Sequence, residues 1–144
     1  MASKYLIEGP VTSVEISVYL DGMAAAKDTG GHSFFLGQVR ADFLKGKIVM
    51  AIEYSAYESM VNTEADKIVE SVTSEFDDVR SVRIIHSTGV VRAGEVSLAV
   101  MVSAGHRQQA MQACSKTVEL IKERLPVWKK EIYEDNSHAW RENQ

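Results

Sequence analysis

The sequence predicts an α+β fold, with helices packed on a mostly antiparallel sheet. Two long segments, 57–76 and 105–124, carry apolar residues at three- and four-residue steps. Four shorter segments, 33–39, 48–54, 79–86 and 95–103, are apolar throughout or alternate. The order of these strands and helices along 144 residues suits one domain.

Residues 4–8 read as a short strand ended by Gly9-Pro10. Residues 13–26 form a candidate helix, although Val14, Ile16, Val18 and Leu20 alternate as in a strand. A turn follows at 28–31, where Asp28-Thr-Gly-Gly31 stands. The segment 33–39 (SFFLGQV) is apolar enough for a well-buried strand, and 48–54 (IVMAIEY) is a second one. Between them, polar 40–47 with Gly46 reads as a loop.

In the first long helix, Met60, Val61, Ala65, Ile68, Val69, Val72 and Phe76 make the apolar stripe, with Glu64, Lys67 and Glu70 outward. Strands at 79–86 and 95–103 are joined through Gly89 and Gly94. The second long helix has Ala110, Met111, Cys114, Val118, Ile121 and Leu125 on its stripe. Pro126 ends it, since proline lacks the backbone donor and disfavours helix in the residue before it. Residues 127–144 read as a polar tail of this single domain and hold both tryptophans, Trp128 and Trp140.

Composition narrows the function. Sixteen Lys and Arg against twenty Asp and Glu give a net charge of -4, which disfavours a general nucleic-acid binder. Cys114 is the one cysteine, so no internal disulfide forms, and its place on an apolar stripe reads as core. No signal peptide and no apolar run of spanning length is visible, so the expected location is the cytoplasm, with no membrane partner. Phosphate-loop, zinc-site and nucleophile-elbow patterns are lacking, and the four histidines are not spaced as metal ligands.

One segment departs from the acidic average. Between His106 and Lys130 six Lys and Arg face only Glu119 and Glu123, about +4 there against about −8 elsewhere. His106-Arg107 follows a strand and opens a helix, where free N–H groups favour an anion. Lys122 and Lys129 bracket Pro126, so a turn there brings two ammonium groups toward one place. Lys130 and Arg141 read as solvated, His86 as structural, and Glu53 and Tyr54 as strand anchors.

Lys122 followed by Leu125-Pro-Val-Trp-Lys-Lys-Glu131 resembles the signature of the large, catalytic subunit family of molybdopterin synthase. Four further strings match that family in order: Phe35-Leu-Gly-Gln-Val-Arg40, Glu53-Tyr-Ser-Ala-Tyr-Glu-Ser-Met60, His86 with Gly89, Gly94 and Glu95, and Ser103-Ala-Gly-His-Arg107. The resemblance spans roughly residues 30–140. It implies an α/β hammerhead with an added antiparallel β subdomain, and a homodimer joined by two small subunits. It also implies sulfur transfer, from the C-terminal Gly-Gly thiocarboxylate of a small ubiquitin-like subunit to cyclic pyranopterin monophosphate, without metal or organic cofactor. Carried over by position, Lys122 and Lys129 are the expected catalytic residues, and Arg40, His106 and Arg107 the expected substrate-binding ones. The alternative is a non-catalytic α+β module that grips a partner's C-terminal tail.

The sequence departs from the family at Ser87, where a basic residue is usual, and at the 41–47 loop; Arg141, after Trp140, is a candidate for the family's tail arginine that reaches the pocket, with a spacing that does not match cleanly. His106 and Lys122 stand 16 residues apart on one predicted helix, about 24 Å along its axis. A small pterin does not bridge that length, so the expected pocket is composite: Lys122 and Lys129 from one protomer, His106 and Arg107 from its neighbour.

Overall fold

The computed structural model describes residues 3–141. The elements run β1 (Leu6–Glu8), α1 (Ser13–Met23), β2 (Gly31–Gln38), β3 (Phe43–Leu44), β4 (Lys47–Ala56), α2 (Glu58–Glu75), β5 (Val79–Arg92), β6 (Val96–Ala104), α3 (Arg107–Arg124), β7 (Val127–Tyr133) and β8 (His138–Arg141). The sheet order is β2-β6-β5-β4-β7-β8, with β1 beside β5 and β3 beside β4. Among the described residues only the β1–β5 pair is parallel. The fold is thus the α+β one expected, a hammerhead sheet with helices and an antiparallel addition.

Strand β5 ties the two halves together. It was expected to end at His86 but continues to Arg92. Its first part pairs with β6, and Gly89–Arg92 pair with β4. Gly89 takes φ 77°, a value that favours glycine, at the crossing between the halves. Strand β6 alternates in sequence, yet eight of its nine residues are buried. Its Val100 and Val102 face the main core, while Ala99 and Met101 face a second cluster with Val11 and Ile85, on which Ile16 and Tyr19 of α1 pack.

Helix α2 buries Val61, Ala65, Ile68 and Val72. Helix α3 buries Ala110, Ala113, Cys114, Thr117, Leu120 and Ile121. Its stripe is therefore rotated from the expected one: Met111 is exposed, and Ala113, Thr117 and Leu120 replace it. Helix α1 buries no residue fully; it is set by a capping box in which the Thr12 N–H donates to Glu15 at 2.6 Å, and Val14 and Val18 stay exposed.

Three expectations need correction. Strand β2 is not well buried, because it is the terminal strand of the sheet order, and Phe35 and Leu36 are partly open to solvent. The 40–47 loop contains a small hairpin, whose two-residue turn has Lys45 and Gly46 at φ 53° and 76°. The 127–144 stretch is not a mere tail: β7 lies along β4 and β8 along β7. Val127, Glu131 and Tyr133 are buried there, and polar alternation on a half-buried strand hid the pattern. Residues 142–144 of that stretch lie outside the described residues, as do residues 1 and 2. Among the described residues no helix is long and apolar enough to cross a membrane.

Candidate active site

Where α3 ends and β7 begins, the chain turns back on the sheet. Leu125 leaves the helical region at ψ 122°, as expected before proline, while its N–H still reaches the Ile121 carbonyl at 3.0 Å. Lys122 lies on the last turn of α3. In β7 successive residues face opposite sides, so Lys129 and Glu131 share the face of buried Val127 and Tyr133. Lys130 takes the other face, 3.1 Å from Glu53 and with its Nζ 5.5 Å from the Trp140 ring centre. It is ion-paired and partly buried rather than merely solvated.

Lys122 and Lys129 line one cavity of about 330 Å³ together with Arg40, two residues past the end of β2, and Arg141, from β8. That size fits a small heterocyclic ligand. Tyr54, His86, Ser97 and Leu98 also line it. The Tyr54 hydroxyl donates to Ser97 Oγ at 2.9 Å, and the Tyr54 and His86 rings meet edge to face at 5.2 Å.

The electrostatics of this cavity are unusual. Neither the Lys122 nor the Lys129 ammonium has a hydrogen bond or ion pair among the described residues. Burial draws the Lys129 pKa down to about 8; the positive charges of Lys122 and Arg141 add to that, and Glu131 opposes it. Burial also lowers the Lys122 pKa. His86 falls to about 4, chiefly through burial and further through both lysines. Its Nδ1 lies 2.8 Å from the Ser87 carbonyl, which only accepts, so the neutral ring carries its proton on Nδ1. His86 thus lines the site as an uncharged group, a role its sequence reading as structural did not include.

Arg141, read as solvated but also a candidate for the family's tail arginine, lines the cavity, where its Nη1 donates to Glu131 Oε2 at 2.8 Å. Glu131 is buried and also accepts from the Tyr133 hydroxyl. Strand alternation from Lys129 is the signal that finds Glu131. Arg141 had no local signal, because its position depends on the β7–β8 pairing.

His106 and Arg107 are elsewhere. They stand exposed at the opposite end of the 18-residue α3 from Lys122 and do not line the cavity of their own chain. The His106 backbone N–H donates to Asp78 Oδ2 at 2.8 Å, and its ring Nδ1 lies 3.2 Å from the same oxygen. Cys114 is buried under β6, with its thiol pKa raised by burial, so it is core as expected. No group of three or more His, Cys, Asp or Glu among the described residues is arranged to hold a metal ion.

The class that fold and site define is a small α+β domain with a desolvated pair of lysines beside arginines, an arrangement chemically able to receive an anion. The profile described as "MoaE protein" matches residues 11–124, and the chain belongs to that family. It is 36% identical to the molybdopterin synthase catalytic subunit of Taeniopygia guttata, over 99% of this chain and 85% of that one. It is 38% identical to the subunit of the same name from Dictyostelium discoideum, over 80% of this chain and 73% of that one. The chain spans only about a third of the length of the Drosophila pseudoobscura relative, of the same name and 37% identical over 87% of this chain. Among solved structures, molybdopterin synthase from Staphylococcus aureus superposes with a TM-score of 0.84 at 26% identity, covering 98% of each chain. The complex of subunits 1 and 2 of molybdopterin-converting factor from Helicobacter pylori shares the fold, with a TM-score of 0.80 at 21% identity over 97% of this chain and 90% of that one.

Proposed function

We propose that this chain is the catalytic subunit of a molybdopterin synthase. In this reading it is a cytoplasmic sulfurtransferase that moves sulfur from the C-terminal thiocarboxylate of a small ubiquitin-like subunit to cyclic pyranopterin monophosphate. The observation that carries the reading is the cavity shared by Lys122, Lys129 and Arg40. Attack on a thiocarboxylate builds negative charge on oxygen, and a preplaced ammonium in a partly desolvated cavity stabilises it. With its pKa near 8, Lys129 also gives up and regains a proton close to neutrality. Arg40 suits the cyclic phosphate through paired N–H donors. Family membership and the two-subunit complex formed by the Helicobacter pylori protein support a small protein partner.

The reading includes a homodimer with shared pockets. His106 and Arg107 do not line the cavity of their own chain. The start of β2 lies against Arg107, so close that a Cβ on Gly31 would stand 3.1 Å from the Arg107 Cα. The end of β2, Gly37 and Gln38, lines the cavity. Strand β2 is terminal in the sheet order, so its outer edge can pair with another strand. Antiparallel pairing of β2 with its copy lays the start of one strand against the end of the other. Neighbouring strands are about 4.8 Å apart, so this pairing brings His106 and Arg107 of each chain to the other's cavity.

The direct test combines purified protein, thiocarboxylated small subunit and cyclic pyranopterin monophosphate, with dithiolene product as the readout. Product formation that depends on Lys129 is expected. A competent sulfur carrier that yields no product overturns the assignment.

A further inference from the structure

Two guanidinium groups from different walls of the cavity converge on one carboxylate. Arg40 Nε lies 2.7 Å from Asp42 Oδ1, and its Nη2 donates to Asp42 Oδ2 at 3.3 Å. Arg141 Nη1 lies 3.8 Å from the same Oδ2. All three residues line the cavity. Arg40 stands two residues from Asp42, whereas Arg141 comes from β8, about a hundred residues on, so the folded sheet brings the second arginine to it.

The carboxylate is the fixed member of this group. The Asp42 N–H donates to the Arg40 carbonyl at 2.9 Å, and the Asp42 carbonyl accepts from the Val49 N–H at 2.8 Å, which anchors the residue to β4. Its side chain is 22% exposed, whereas that of Arg40 is 82% exposed. The long, solvated arginine therefore moves to meet the short, anchored aspartate. Side-on contact through Nε and Nη2 is also how a guanidinium grips a phosphate. Arg141 is further held by Glu131, which is buried and belongs to the wall.

We propose that Asp42 is a specificity-determining residue that occupies the anion seat between Arg40 and Arg141, so that an incoming oxyanion must exchange with it. The inference rests on the reading of this cavity as the site for a phosphate-bearing substrate. A resident carboxylate sets a threshold. A single carboxylate offers the arginines no more than Asp42 already does, and it meets the Asp42 charge. Inorganic phosphate or a phosphate monoester has more free oxygens and more charge than a carboxylate, so it can engage both guanidinium groups at once, whereas a cyclic phosphodiester, with two free oxygens and one charge, gains only when the ring opens. The seat thereby favours inorganic phosphate or a phosphate monoester over a carboxylate without a dedicated selective contact, by making the weaker anion compete with a built-in one.

The test measures inorganic phosphate binding to the full chain by calorimetry, for the wild type, Asp42→Asn and Asp42→Ala. Both substitutions keep the backbone bonds of residue 42, and thermal unfolding checks that each variant folds. Each is expected to bind phosphate about fivefold more tightly than wild type, the scale of removing one competing, partly solvated ion pair. Adding Arg40→Ala to Asp42→Asn is expected to cancel the gain. Unchanged or weaker binding in both Asp42 variants overturns the proposal, as does binding that is undetectable in all three proteins. Phosphate binding that tightens in the Asp42 variants but is indifferent to Arg40→Ala and Lys122→Ala instead overturns the reading of the cavity as the substrate's anion site.

Discussion

The two ends of α3 carry the same kinds of side chain in opposite physical states. At its C-terminal end Lys122 and, just beyond, Lys129 are partly desolvated and unpaired among the described residues, with pKa values drawn down by burial. At its N-terminal end His106 and Arg107 are exposed, and His106 rests on Asp78. Buried charge without a counter-ion is costly, and a fold retains it where chemistry or a ligand compensates. Exposed charge costs little and can be supplied to a neighbouring molecule. In the proposed reading, the contrast separates a pocket formed within one chain from a surface that completes another chain's pocket.

The strongest way to break this contrast is to remove the buried lysine. Lys129→Ala is expected to lower the turnover of the reconstituted reaction by about a thousandfold, the scale of losing a group that stabilises charge or moves a proton in the transition state. Affinity for the small subunit, followed by calorimetry, should change little. A protein that only grips a partner's tail would show the reverse, with altered affinity and no turnover in any variant.

Much of this contrast was legible in the sequence. The 3.6-residue periodicity located α2 to within a residue, because its buried stripe, Val61 to Val72, continues for about three turns. Lys122, Lys129 and Arg40 were found, and the structure brings them to one cavity. The helix length between His106 and Lys122 already showed that one chain cannot use both ends on one small ligand. Features that depend on pairing between distant strands were not legible. Strands β7 and β8 alternate polar residues on a partly covered surface, so their composition resembles a tail. Arg141 meets Asp42, beside Arg40, only because β8 lies on β7 and β7 on β4. Likewise β2 reads as buried because it is apolar, although its position at the end of the sheet order leaves it half open.

A smaller effect tests whether the two ends belong to one site. Chains carrying His106→Ala are mixed with chains carrying Lys122→Ala, after each is shown to be nearly inactive alone. In shared pockets, a mixed dimer has one pocket with both residues intact and one with neither. Random assortment then restores about a quarter of the pockets, since half the dimers are mixed. Recovery near that fraction in the dithiolene assay is expected. No recovery from stable mixed dimers would mean that His106 does not serve the neighbour's cavity.

The smallest effect separates the two ends by stability alone, without substrate. Lys129 has a folded-state pKa of about 8 against an ordinary 10.5. Below pH 8 the side chain is charged in both the folded and unfolded states, so folding carries the full cost of desolvating it. Between pH 8 and 10.5 the folded protein releases its proton first, the unfolded chain binds more protons, and the wild type gains stability as pH rises. Lys129→Met removes that charge while keeping an unbranched chain. It is therefore expected to stabilise the protein by about 1 kcal/mol at neutral pH, after discounting for solvent screening, with the gain fading by about pH 10.5. His106→Ala, at the exposed end, should shift unfolding by less than about 0.5 kcal/mol, because the backbone bond to Asp78 survives the substitution. Denaturant titrations at pH 7 and 10.5 read both effects. A Lys129→Met protein that is destabilised at pH 7 would show that the ammonium is satisfied in the fold, and the contrast between the two ends would fail at its energetic basis.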